Sequence, residues 1–336
     1  MGEKTFFASL TRIADLEKVP YRIQALDRDE WETGDYVLGT IDREPVAGAM
    51  LELPSGRLLA PQVGDQVVGA LGFRFATLGI TGDWQAVEAD MRMEMMTAAG
   101  LIGRARSRHV NYPSPLSLTY RGHLNRGGRK LTMSAFVPQC PMRDFDMPTV
   151  LLVGSSMSAG KTTSARVIIR TLKEMGLAVI GAKFTGAGRY RDIQSMEDAG
   201  ADRIYDFVDA GLPSTVHPEG DFRARMQHLL CRISEEGGDV LVAEAGASPL
   251  EPYNGAAAIE ILSPHVRAMV LCASDPYSVV GVQNAFGKPP DLVAGIAAST
   301  DAGVALIERL AQIPALNLVD SSHRKELRQF LLDRLE

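Results

Sequence analysis

A chain of 336 residues is longer than the usual single domain of about 100–200 residues, so two domains are expected. With 46% hydrophobic and 23% charged residues the composition is globular, which excludes a disordered, fibrous or coiled-coil chain. Lys and Arg number 35 against 41 Asp and Glu, a net charge of −6; no general basic field gathers polyanions, and nucleic acid is not expected as a partner.

The opening stretch, Met1 to Leu10, carries Glu3 and Lys4 and an apolar run too short for the core of a signal peptide. No segment approaches the roughly 20 apolar residues that span a bilayer. A cytoplasmic protein without a membrane partner is expected. Cys140, Cys231 and Cys272 lie far apart without Cys-x-x-Cys or Cys/His spacing, which argues against a zinc site or disulfide framework and fits a reducing compartment.

From Thr33 to about Pro138 short apolar runs alternate with turn residues. Tyr36–Ile41, Gly48–Glu52, Gln66–Leu71 and Lys130–Phe136 read as strands, and breakers such as Val63-Gly-Asp65 and Arg126-Gly-Gly128 separate them. This rhythm predicts a smaller β-rich, barrel-like domain over residues 1–145, interrupted by one helix around Asp90 to Ala99. Trp31 and Trp84 read as core or turn residues. The basic stretches Arg104–His109 and Arg121–Arg126 read first as exposed faces and otherwise as contacts for an acidic substrate.

After the proline-flanked stretch Pro141–Pro148 the rhythm changes. Strands are predicted at Thr149–Val153, Ala178–Lys183, Asp239–Ala243, Ala268–Cys272, Leu292–Ala297 and Ala315–Val319. Helices are predicted near Thr162–Met175, Asp221–Glu236, Ala302–Ala311 and His323–Leu335. Apolar strands alternating with helices imply an α/β domain over residues 148–336 with a parallel sheet covered on both faces.

Its sharpest signal is Thr149–Val153 running into Gly154-Ser-Ser-Met-Ser-Ala-Gly-Lys-Thr162 and then an amphipathic helix. A strand, a small-residue loop and Gly-Lys-Thr in this order form a P-loop, whose backbone N–H groups and helix N-terminus surround phosphate oxygens. Gly154, Ser158, Ala159, Gly160, Lys161, Thr162 and Thr163 are therefore the expected nucleotide contacts. Lys161 would reach the β- and γ-phosphates, and the Thr162 hydroxyl would ligate Mg²⁺.

Ligands of an open parallel sheet gather at the carboxyl ends of its strands. Lys183 ends one strand before a glycine-containing turn, where it can hold an anionic substrate or the transferring phosphoryl group. Glu244 ends another, placed to hold Mg²⁺ opposite the loop. Asp192 or Asp198 could complete the metal shell. Arg189 and Arg191 are candidate anion contacts, and His217 is the histidine to test as a general base.

The Gly-x5-Gly-Lys-Thr spacing of Gly154–Thr162, with Lys183 and Glu244, resembles dethiobiotin synthetase. That resemblance implies a substrate lysine at Lys183, a metal glutamate at Glu244, and a second metal carboxylate best matched by Asp198. The runs Lys183–Arg189, Asp198–Asp202 and Asp206–Thr215 resemble a second P-loop family that includes a D-glutamate N-acetyltransferase. Both resemblances cover about residues 148–336. Glu244-Ala-Gly-Ala-Ser248 differs from the synthetase pattern in lacking a double glycine, and Ala297-Ala-Ser-Thr300 in lacking the adenine-binding Asn.

Three functions are compatible with these residues. The first is a Mg²⁺-dependent, ATP-binding, ligase- or synthetase-like enzyme that activates a carboxylate, carbamate or hydroxyl of a small anionic metabolite, with Lys161, Lys183 and Glu244 as catalytic residues. The second is an N-acyltransferase, and the third a regulatory or metallochaperone NTPase. The third is disfavoured because Gly287-Lys-Pro-Pro-Asp291 is not a guanine-reading Asn-Lys-x-Asp and no His- or Cys-rich tract is present. Self-association as a homodimer is left open.

Overall fold

The computed structural model describes residues 4–141, 143–246 and 248–335. Glu3 of the opening stretch, Met142 of the expected linker and Ala247 of the Glu244–Ser248 run lie outside the described residues. The chain forms two compact units. The first takes in the chain up to Gln139 together with Ala187–Arg191 and Phe207–His217; the second takes in Cys140–Gly186, Asp192–Asp206 and the chain from Pro218 onward.

In the first unit, five strands pair in a ring. Gln66–Leu71 pairs with Tyr36–Ile41, which pairs with Leu116–Arg126, then Arg92–Met95, then Leu101–Arg108, and Leu101 and Ile102 return to Ala70 and Leu71. Ring closure removes the unpaired edges of a sheet. The expected helix around Asp90 to Ala99 is instead the strand Arg92–Met95. Its alternation explains the difference: Met93 and Met95 face the core while Arg92 is exposed and Glu94 half-buried, a period of two. The predicted strand over Lys130–Phe136 reduces to Arg129–Lys130 followed by a 3-10 turn, Met133–Phe136.

The barrel core also contains charge. Asp35 and His123 are fully buried, with His123 Nε2 3.2 Å from Asp35 Oδ2 and Lys130 Nζ 3.1 Å from the same oxygen. The Tyr120 hydroxyl lies 2.6 Å from His123 Nδ1, and Trp31 packs against both rings. Trp31 is thus a core residue.

The second unit contains a six-stranded parallel sheet in the order Arg203–Asp206, Val179–Thr185, Val240–Ala245, Thr149–Gly154, Val266–Cys272, Leu292–Ala294. Seven α-helices are described: α1 Lys161–Glu174, α2 Tyr190–Asp198, α3 Glu219–Glu236, α4 Gly255–Leu262, α5 Pro276–Phe286, α6 Asp301–Ala311 and α7 Arg324–Leu335. Helix α1 buries Ala165, Ile168, Ile169 and Leu172, the i, i+3, i+4, i+7 stripe of an amphipathic helix. Burial of each larger side chain in it contributes about 1.5–3 kcal/mol. The helix stops at Gly176, whose φ of 85° suits glycine.

That stripe packs with Met196, Leu327 and Leu331 against Val150, Leu152, Val240 and Val242. The predicted strand Ala315–Val319 contributes one bridge, Ala315 to Val293. Strand Arg203–Asp206 and helices α2, α4 and α5 lie in stretches for which no strand or helix is predicted above. Among the described residues, no helix is long and apolar enough to cross a membrane.

Candidate phosphate-binding site

The strand Thr149–Gly154 is buried throughout, and its neighbours on both sides, Val240–Ala245 and Val266–Cys272, place their carboxyl ends beside the loop that follows it. Loop residues Ser155–Gly160 connect it to α1. Ser158 has a φ of 61° and Gly160 a φ of 96°, so the chain turns through the left-handed region twice before the helix starts. The Ser155 N–H donates to the Cys272 carbonyl at 3.0 Å, and the Ser274 N–H donates to Ser155 Oγ at 3.0 Å. At the other end of the loop, the Ile296 N–H donates to the Ala159 carbonyl at 3.3 Å. A Cβ on Gly295 would stand 2.2 Å from that same oxygen.

Strand, turn and helix in this arrangement, on a parallel sheet, make the second unit a P-loop NTPase fold. Gly154 closes the strand, Ala159 is buried, Gly160 is the residue before α1, and Ser158 and Thr163 are exposed. Lys161, the first residue of α1, is only 6% exposed, and its Nζ donates to the Ser156 carbonyl at 2.8 Å, which lays the ammonium over the loop. Burial lowers the Lys161 pKa, against the pull of the Glu244 charge and with some help from Lys183.

The strand ends bring three buried charged residues into one row. In register across the sheet, Leu152 is beside Glu244, Glu244 beside Lys183, and Lys183 beside Asp206. Glu244 is 2% exposed and Lys183 6%. Lys183 Nζ donates to Asp192 Oδ2 at 2.5 Å. Burial alone would lower the Lys183 pKa; the Asp192, Glu244 and Asp206 charges outweigh it and hold the ammonium above its ordinary value. Burial raises the Glu244 pKa, and the two lysines only partly oppose it.

The Thr162 hydroxyl donates to Glu244 Oε2 at 3.4 Å, which joins the two expected Mg²⁺ ligands. A hydroxyl and a carboxylate oxygen are the donors that this hard cation prefers, and it keeps its remaining positions for water and phosphate oxygens. The residues therefore fit Mg²⁺. Among the described residues no group of three or more His, Cys, Asp or Glu is arranged to hold a metal.

Asp198 is not brought to this cluster. It is exposed at the far end of α2, six positions beyond Asp192, which on a helix is about 9 Å along the axis. Asp192 in the first turn is the carboxylate that the helix delivers to Lys183. The basic stretches are engaged locally: Arg104 pairs with Asp90, Arg106 with Asp83, and Arg126 bidentately with Asp15. Trp84 packs edge-on against Phe73. His217, Arg189 and Arg191 belong to the first unit.

Sequence reasoning missed Ser274, Gly295 and Ile296, which shape the loop, as well as Glu251, whose charge acts on Lys161, and Asp206. The strand-end rule, applied to Cys272 and Ala294, points to the first three. Nothing local marks the other two.

No protein-family model matches the chain, and no curated protein does. Solved structures similar to it include chloroplast FtsY from Physcomitrella patens, at 15% identity over 53% of this chain and 59% of that one, TM-score 0.37. Hydrogenase maturation factor HypB from Archaeoglobus fulgidus matches at 16% over 56% and 91%, TM-score 0.38. A DUF1611 family protein from Anabaena variabilis matches at 16% over 59% and 60%, TM-score 0.37. The chain thus spans under two thirds of the FtsY and Anabaena proteins, and likenesses this distant carry no functional assignment.

Proposed function

We propose that this protein is a Mg²⁺-dependent, ATP-binding enzyme of the ligase or synthetase kind, which transfers the γ-phosphoryl group to a carboxylate, carbamate or hydroxyl oxygen of a small anionic metabolite. The observation that carries this reading is Lys183: a buried ammonium two residues before the carboxyl end of Val179–Thr185, in register with the candidate metal carboxylate Glu244 on the next strand. A lysine needed only for solubility would not be buried among three carboxylates. The resemblance of the loop spacing, Lys183 and Glu244 to dethiobiotin synthetase supports the same reading.

In this scheme the loop N–H groups and Lys161 bind the β- and γ-phosphates, and Lys161 exchanges its bond to the Ser156 carbonyl for phosphate oxygen. Thr162 and Glu244 hold Mg²⁺, which when bound neutralises phosphate charge. Lys183 holds the acceptor acid beside the γ-phosphate and offsets the charge that develops there. The acceptor oxygen forms the new P–O bond as the bond from the γ-phosphorus to the bridging oxygen breaks, and ADP leaves with that electron pair.

A thermal-shift screen of ATP, GTP and coenzyme A with and without Mg²⁺ tests the reading, followed by ADP release with pooled small acids. ATP with Mg²⁺ is expected to raise the melting temperature, because a ligand that binds only the folded state stabilises it. Consumption of acetyl-coenzyme A without ADP release would replace this reading with an acyltransferase.

A further inference from the structure

The first N–H groups of an α-helix lack partners within the helix, and they stand at the positive end of its dipole. At the start of α2 these groups meet a carboxylate remote in sequence. The Tyr190 N–H donates to Glu52 Oε1 at 2.7 Å and the Arg191 N–H donates to Glu52 Oε2 at 3.3 Å. Ser9 Oγ donates to Glu52 Oε1 at 2.5 Å, and the Glu52 N–H is itself fixed to the Ala98 carbonyl at 2.8 Å. Glu52 is fully buried.

The residues just before this helix are fixed by the same unit. Ala187 bridges to Ser214, the Gly188 N–H donates to the Pro213 carbonyl, and the Tyr190 ring lies under Arg12, which pairs with Asp209 at 3.0 Å. One residue after Arg191 comes Asp192, the partner of Lys183.

We propose that Glu52 is a positioning residue for the Lys183 site: by closing the first turn of α2 it fixes the carboxylate of Asp192 where the Lys183 ammonium meets it. Its functional meaning rests on the reading that Lys183 handles the acceptor acid, but the physical claim does not. A purely architectural Glu52 would order residues 187–191 and leave Lys183 indifferent to its loss.

The test uses the full chain as wild type, Glu52→Ala, Glu52→Gln and Asp192→Asn. Amide hydrogen exchange over Tyr190–Asp198 reports the helix start, and the rate of Lys183 acetylation by N-hydroxysuccinimide acetate, read by mass spectrometry, reports the lysine. Glu52→Ala is expected to raise both by about tenfold or more, the scale on which local opening responds to loss of a charge-assisted hydrogen bond. Asp192→Asn should raise the acetylation rate while leaving exchange at Tyr190 and Arg191 near wild type. Glu52→Gln, which keeps an oxygen for the Tyr190 N–H, should raise both by less.

Unchanged Lys183 acetylation in Glu52→Ala, with exchange raised, overturns the proposal, as does unchanged acetylation in Asp192→Asn. If Glu52→Ala does not fold, Glu52→Gln decides alone, and wild-type acetylation in it counts against the proposal. Neither readout involves nucleotide or turnover, so failure of ATP to bind would strike the proposed function and not this coupling.

Discussion

Both units bury charge, and they do so in opposite ways. In the β-rich unit, Asp35 Oδ2 is the lock between His123 and the partly exposed Lys130, and the Tyr120 hydroxyl meets the other nitrogen of the His123 ring. In the P-loop unit, Lys161, Lys183 and Glu244 stand at or just beyond the carboxyl ends of open parallel strands, and burial displaces Lys161 and Glu244 toward their neutral forms. The first cluster gathers around a single carboxylate oxygen, Asp35 Oδ2, and holds barrel segments together. Buried charges held short of full mutual compensation have capacity left for a ligand, which is why perturbed groups cluster at functional sites.

That contrast is sharpest where each network is cut. Asp35→Ala leaves His123 and Lys130 facing each other without their shared carboxylate and should cost about 3 kcal/mol of stability, the scale for breaking a buried pair. Chemical denaturation measures it, and a loss below the noise would show that the barrel network is not the lock described. Lys161→Ala, by contrast, should fold well and lose ligand stabilisation: at ATP–Mg²⁺ near a hundred times Kd the wild type gains about 2.7 kcal/mol, and the variant should gain almost none. An undiminished melting shift in that variant would remove the loop from the nucleotide site.

Lys183→Ala separates binding from chemistry. ATP affinity should persist while substrate-dependent ADP release falls about 100-fold, as for a positioned electrostatic group. Near-normal turnover would return Lys183 to a structural role.

The smallest effect is a pH dependence. Because the folded-state pKa of Glu244 lies above its ordinary value of 4.5, the folded chain binds that proton more tightly than the unfolded chain, and stability falls as pH rises between the two values. Glu244→Gln removes this loss. Without ligand, the variant should melt slightly above wild type at pH 8, and the gap should shrink as pH falls toward 4.5. A gap that widens on acidification would mean that the lysines, not burial, govern Glu244.

The same contrast decides what could be read from the sequence. The P-loop was legible because its parts are contiguous: four apolar residues, Val150–Val153, a small-residue turn and Gly-Lys-Thr. Lys183 and Glu244 were legible through the strand-end rule. The choice between Asp192 and Asp198 was not, because it depends on which turn of α2 faces the sheet, and that helix was hidden in a short polar stretch. The barrel was legible as a rhythm of strands, yet Met91-Arg-Met-Glu-Met95 passed for helix because methionine and glutamate favour helices, while the alternation that tertiary packing selected is only four residues long. The Asp35–His123 and Glu52–Tyr190 pairings join distant segments, and no local pattern encodes them.

Gly295 extends this lesson beyond the residues that touch phosphate. Its φ is 83°, and any side chain there would collide with the Ala159 carbonyl, so the far strand of the sheet gauges how closely the loop can be approached. In a library of variants selected for nucleotide binding, position 295 should therefore be as intolerant of substitution as Gly160, although it supplies no charge, no hydroxyl and no metal ligand. A map of mutational sensitivity would then draw the site larger than its chemistry, with an outline that follows the backbone contacts of the loop.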